Sequence, residues 1–202
     1  MSETALILGV GAAAGVGAAV ARKFSGAGYH VIIAGRTLEK LDATAADISA
    51  AGGSIESVVA DVTSQEDQQR VFELVRTRNE PLSSVIYNAG SNLPIKFSDL
   101  SPEQFEDFWR IGCFGAFLTS RLALPLLSEQ AKGSLFFTGA SASFGAVRTS
   151  RILRWQRQDF EISLRRLRVN TDLRASMLPT LLLTVWLTAI LSAGVLQTTW
   201  IR

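Results

Sequence analysis

The chain has 202 residues, 48% of them hydrophobic, which suits one domain of moderate size with a sizeable core. A net charge of +2 implies no general pull toward nucleic acid. One cysteine, Cys113, rules out an internal disulfide, and one histidine, His30, argues against a histidine-based triad or a zinc site.

Taken in order, Thr4 to Gly9 is a short apolar run, expected to be a buried strand. A Gly/Ala turn follows, then a helix over Ala18–Gly28. His30–Ala34 reads as a second strand, and Leu38–Ala51 as a helix ended by Gly52-Gly53. Ile55–Ala60 is a third strand. Ser64 opens another helix, with Asp67 three residues on in the manner of a capping box. Leu82–Tyr87 is a fourth strand. Ser101 and Pro102 then suit the cap and first turn of a long helix over about 103–129, expected to bend or break near Pro125. Ser134–Thr138, after Gly133, is a fifth strand. Strands alternating with helices predict an α/β fold, a doubly wound parallel sheet covered on both faces.

Chemistry concentrates in Val10-Gly11-Ala12-Ala13-Ala14-Gly15-Val16-Gly17, between the first strand and the first helix. Glycines there let backbone approach a pyrophosphate, which then faces the amides of a helix N-terminus. Arg36 closes the second strand, where a guanidinium can pair with a ribose 2′-phosphate. An acidic residue there would favour a 2′-hydroxyl instead. The expected cofactor is therefore NADP(H), with NAD(H) as the alternative.

The spacing Gly-x-x-x-Gly-x-Gly at Gly11, Gly15 and Gly17 resembles that of the short-chain dehydrogenase/reductase family, which normally has Thr where Val10 stands. Asp61-Val62 after the third strand and Asn88-Ala89-Gly90 after the fourth are similar to that family's blocks, in the same order. The resemblance covers residues 1–147 and implies a Rossmann-type NAD(P)-binding domain. It implies a hydride transfer between NADP(H) and a small carbonyl compound or secondary alcohol, and a homo-oligomer formed through the long helix 103–129. It also implies that Asp61 bonds the adenine amino group and that the Asn88 block packs near the adenosine ribose. In the family a Tyr is the proton donor, a Lys four residues later holds the nicotinamide ribose, a Ser positions the substrate oxygen and an Asn supports a proton relay. In this chain Gly112 stands at the Asn position, Ala140 at the Ser position, Leu153 at the Tyr position and Arg157 at the Lys position. Ser141 is the candidate hydroxyl that is left, with Ser143 beyond it. Tyr29 and Tyr87 lie in other segments.

Residues 148–202 depart from the pattern. Fifteen of the sixteen glycines lie at or before Gly145, whereas nine arginines and no lysine follow Val147. Two readings of this tail stay open. One is translation out of frame, leaving the sheet C-terminally incomplete. Arg174–Thr180, back-translated and shifted by two nucleotides, permits Gly-Glu-His-Val-Ala-His, similar to the family's run into its sixth strand. The other is a genuine alternative C-terminus. Leu178–Leu196 carries no charge and, at about 1.5 Å per residue, is just long enough to cross a bilayer. The first reading leaves either an inactive oxidoreductase or a non-catalytic nucleotide-binding partner of an intact homologue. The second makes a tail-anchored membrane protein. The lone thiol, and an N-terminus without a secretory pattern, favour a cytoplasmic location, with membrane anchoring through 178–196 as the alternative.

Overall fold

The structure, a computed structural model, describes residues 2–78, 80–90, 95, 97–129 and 133–139. Five strands form one parallel sheet: β1 (Thr4–Leu8), β2 (His30–Gly35), β3 (Ile55–Val59), β4 (Leu82–Tyr87) and β5 (Ser134–Phe137). Their order is β3-β2-β1-β4-β5. Leu6 of β1 aligns with Ile32 of β2 and with Val85 of β4, the pairing the alternating pattern predicts.

The central strands β1 and β2 are apolar after their first residue, as suits strands covered by helices on both faces. Every residue of β1 and of β2 is buried. Successive side chains point to opposite faces, so the sheet divides its residues between two cores. Leu6, Leu8, Ile32, Ala34, Val85 and Tyr87 face one core, with Val71 and Phe72 of helix α3 (Gln65–Thr77) and Ala123 and Leu127 of helix α5 (Gly115–Glu129). Ile7, Val31, Ile33 and Ile86 face the other, with Ala18 and Ala21 of α1 (Val16–Gly26) and Leu41 and Ile48 of α2 (Leu38–Ala50). Each fully buried Leu or Ile contributes roughly 1.5–3 kcal/mol by its removal from water. The edge strand β3 is only half-buried.

The expected long helix is present as one run, Pro102–Glu129, but the expected break near Pro125 is corrected. Helix α4 (Pro102–Trp109) passes through a π-helical turn, Arg110–Phe114, into α5. The irregularity thus lies at Arg110–Phe114, and α5 runs through Pro125 to Glu129. Proline removes one amide donor there without ending the helix. Among the described residues, Pro102–Glu129 is the one helical run long and apolar enough to cross a membrane. Here it packs on the sheet through Cys113, Ala116, Ala123 and Leu127.

The caps also differ from expectation. Ser64 accepts from the Asp67 amide, but the Asp67 carboxylate turns away to accept the Asp61 amide at 2.8 Å, so only half of a capping box forms. The full reciprocal box is at Ser101 and Gln104, opening α4.

Candidate functional site

Parallel strands end on one edge of the sheet, so the segments after β1, β2, β3 and β4 meet there. The chain builds outward from β1 in one direction through β2 and β3, and in the other through β4 and β5. The crevice where the order reverses, beyond the ends of β1 and β4, is the place where such sheets take ligands.

The turn after β1 is held from two sides. Gly9 has φ +83°, a left-handed conformation that glycine adopts without strain. The amides of Gly9 and Val10 both donate to the Ala34 carbonyl at 2.9 Å, and Val10 is buried. The Asn88 amide donates to the Leu8 carbonyl at 2.8 Å, and its side-chain Nδ2 donates to the Gly9 carbonyl at 3.0 Å. A Cβ on Gly9 would lie 2.3 Å from the Ala89 nitrogen, so backbone meets backbone at this point.

Beyond this staple the loop opens. Gly11, Ala12 and Ala14 are exposed, and nothing lies within 4 Å of a Cβ placed on Gly11. The Gly15 amide closes the turn on the Ala12 carbonyl at 2.7 Å. Gly15 is the N-cap of α1; no side chain caps the helix and no acidic residue sits in its first turn. The first-turn amides, around exposed Val16 and buried Gly17, therefore have no side-chain acceptor and suit an anion. Arg22 of α1 reaches back to the Ala13 carbonyl at 2.8 Å and bonds Asp47 of α2 at 2.9 Å, bracing the loop from behind.

Arg36 follows β2, is exposed, and makes no hydrogen bond or ion pair among the described residues. Asp61 follows β3. Its Oδ1 accepts from the amide and from the hydroxyl of Thr63, both at 2.8 Å, and its Oδ2 has no partner among the described residues. Val62 is buried, and its carbonyl accepts from Gln68 Nε2 at 2.5 Å. Gly90, after the half-buried Asn88 and Ala89, is exposed and open.

The structure thus brings the segments of Gly11, Gly15, Val16, Gly17, Arg36, Asp61, Val62, Asn88, Ala89 and Gly90 to one edge of the sheet. The Asn88 side chain is spent on holding the loop. Gly112 lies within the π turn. Ala140, Ser141, Leu153, Arg157 and the tail from 148 lie outside the described residues.

Two residues that no sequence signal singled out, Gly115 and Gln68, support the site. The Gly115 amide reaches back five residues to the Arg110 carbonyl and bypasses Ile111. The Ile111 carbonyl accepts the Tyr87 hydroxyl instead. A Cβ on Gly115 would meet the Tyr87 hydroxyl and would lie 2.7 Å from the Val62 carbonyl. Glycine is what lets α5 approach the turn after β3, and Gln68 joins the two. His30 lies away from the site, at the amino end of β2, with Nδ1 2.6 Å from Ser54 Oγ. Burial, then the Arg78 charge, holds its pKa below the ordinary value.

Residues 4–150 match the short chain dehydrogenase family. The chain belongs to that family. Over 140 residues it is 34% identical to oxidoreductase asL5 of Sarocladium schorii, covering 69% of this chain and 54% of that protein. An uncharacterised oxidoreductase of Staphylococcus aureus strain USA300 is 30% identical over 142 residues, 70% of this chain and 61% of the relative. The match therefore spans little more than half the length of these relatives. Among solved structures, a short-chain dehydrogenase of Rhodopseudomonas palustris superposes with a TM-score of 0.73 at 25% identity, covering 83% of this chain and 78% of that one. Actinorhodin polyketide ketoreductase, solved with NADPH, has the same fold, with a TM-score of 0.75 at 21% identity over 82% of this chain and 64% of that one. The short-chain dehydrogenase match reaches past Thr138 and takes in Ala140 and Ser141, but stops before Leu153 and Arg157.

Proposed function

We propose that this short-chain dehydrogenase chain binds NADP(H) across the loop after β1, and that the 202-residue form does so without turning over substrate. One observation carries the binding: an uncapped helix N-terminus opens behind an exposed glycine loop, with the unpaired Arg36 at the end of the neighbouring strand. The anion-seeking amides suit a pyrophosphate and the guanidinium suits a 2′-phosphate. Asp61 keeps one carboxylate oxygen for the adenine amino group. Support comes from proteins of the same fold solved with NADPH or 5-hydroxy-NADP: the ketoreductase, an alcohol dehydrogenase from Thermococcus sibiricus, and L-sorbose reductase from Gluconobacter frateurii.

The cofactor would supply a hydride for a small carbonyl or alcohol substrate. The protein's part is to place a proton donor beside it. By spacing, that position holds Leu153, which carries no transferable proton, and the positions of its helpers hold Gly112, Ala140 and Arg157. Ser141, with Ser143 beyond it, offers a hydroxyl nearby in sequence, with no base beside it in the family pattern. Binding without turnover follows.

Titration with NADPH and NADH, for the chain and for Arg36→Asp, tests the cofactor reading. A lost charge-assisted contact is worth about 1.5–3 kcal/mol, so NADPH should weaken by about ten- to hundredfold while NADH changes little. Equal weakening of both removes Arg36 from that role. A hydride-transfer assay over a panel of carbonyl compounds tests the second half; measurable turnover overturns it.

A further inference from the structure

The buried face of α3 reads Gln68, Val71, Phe72, Val75. Three of these are core residues, and the fourth is an amide as fully buried as they are. Burying an amide is unfavourable unless each of its polar atoms finds a partner. Here each does. Gln68 Nε2 has two protons and faces two carbonyls, Val62 at 2.5 Å and Gly115 at 2.9 Å. Its Oε1 lies 2.7 Å from the hydroxyl of Thr119, itself fully buried. That hydroxyl is also 3.0 Å from the Gly115 carbonyl, but has a single proton to give. Gln68 Oε1 can only accept, so in this contact the Thr119 proton goes to Oε1 and fixes which way the amide faces.

The network joins α5 to the turn after β3. The rest of that turn is also fixed: the Ser64 amide donates to the Asp61 carbonyl at 3.0 Å, and the Asp61 amide donates to Asp67 at 2.8 Å. The groups of the turn with no partner among the described residues include the Val62 amide and Asp61 Oδ2. A donor next to an acceptor complements a ring that offers a nitrogen acceptor beside an amino group, as adenine does. Hypoxanthine offers the reverse, a ring N–H beside a carbonyl.

We propose that Gln68, oriented by Thr119, is a positioning residue that makes the Asp61–Val62 turn selective for an adenine base. The proposal rests on the dinucleotide reading above. Gln68 touches no cofactor; it holds the Val62 peptide against α5, so that the two unpaired groups keep their spacing.

The test compares binding of NADPH with binding of its deaminated, hypoxanthine-containing analogue to the full 202-residue chain, followed by the fluorescence of the reduced nicotinamide. The unsubstituted chain should prefer the adenine form by about tenfold or more, the discrimination expected of one hydrogen bond to a charged group. Gln68→Met removes every hydrogen bond at similar volume. It should collapse the preference to within about threefold while affinity for the hypoxanthine form holds, as a loss confined to base reading requires. Thr119→Val should lower the preference in the same direction, and Thr119→Ser, which keeps the hydroxyl, should restore it. The Thr119 pair decides the matter should Gln68→Met fail to fold. Variants that weaken both cofactors equally, or leave the preference intact, overturn the role of Gln68 and leave the dinucleotide reading standing. An unsubstituted chain that binds neither cofactor overturns both.

Discussion

Replacing Gly9 by alanine should unfold the nucleotide-binding edge, whereas the same change at Gly11 should leave the fold intact. At Gly9 the backbone is left-handed, with φ +83°, which costs a residue with a Cβ about 1–2 kcal/mol. The new carbon would also lie 2.3 Å from the Ala89 nitrogen and 2.6 Å from its Cα. Both are backbone atoms, so the strain cannot be relieved by turning a side chain. Ala89 would have to retreat, drawing Asn88 from its 3.0 Å bond to the Gly9 carbonyl. Overpacking of this kind costs about 1–3 kcal/mol, for a total of about 2–5 kcal/mol. Set against a domain stability of about 5–15 kcal/mol, that is a large fraction. At Gly11 nothing lies within 4 Å of the added carbon, so stability should hold to within about 0.5 kcal/mol. The methyl would instead occupy the space open to a phosphate, and NADPH should bind more weakly. Urea denaturation of the full chain followed by far-UV circular dichroism measures the first effect, and NADPH titration the second. A Gly9→Ala chain as stable as the original would refute the account of the turn.

Two further perturbations probe the support of the site. Gly115→Ala should destabilise by about 1–3 kcal/mol, because its Cβ meets the Tyr87 hydroxyl and approaches the Val62 carbonyl. Adding Tyr87→Phe removes one of those atoms, so the double variant should lose less than the sum of the singles; strict additivity in denaturation midpoints would contradict the contact. His30 is held below its ordinary value near 6.5, first by burial and then by Arg78, against the opposing pull of Glu80 and Glu56. The folded chain therefore takes up its proton less readily than the unfolded chain. The stability this represents is intact above the ordinary value and is lost as pH falls through it toward the lowered one. Urea midpoints should drop as pH falls below the ordinary value near 6.5, and His30→Gln should flatten that drop; an equal slope in both chains would remove His30 from the effect.

How far the sequence carried differs from one element to the next. Leu6-Ile7-Leu8 and Val31-Ile32-Ile33 are legible as strands because a parallel sheet covered on both faces makes every strand position apolar. The loop from Gly9 to Gly17 is legible because its spaced glycines join a strand to a helix, and at Gly9 the left-handed backbone and the nearby Ala89 require glycine. The π turn at Arg110–Phe114 was not legible. It depends on a hydroxyl from β4 and on the close approach allowed by Gly115, both set by tertiary contacts, while Pro125 offered a local and misleading signal. Gln68 reads as one of several polar residues in a run of charges; its burial follows from carbonyls supplied by residues 62 and 115. Asp67 illustrates the same limit at short range, since its carboxylate chooses the Asp61 amide over the Ser64 amide. Leu153 and Arg157 fall at the proton-donor and ribose-holding positions by their spacing from Ala140.

The measurement that bears most directly on the account is a calorimetric titration of the 202-residue chain with NADPH. Saturable binding at one site per chain, tighter than for NADH, is the predicted result. The absence of saturable binding, in a chain shown by circular dichroism to be folded, would contradict it.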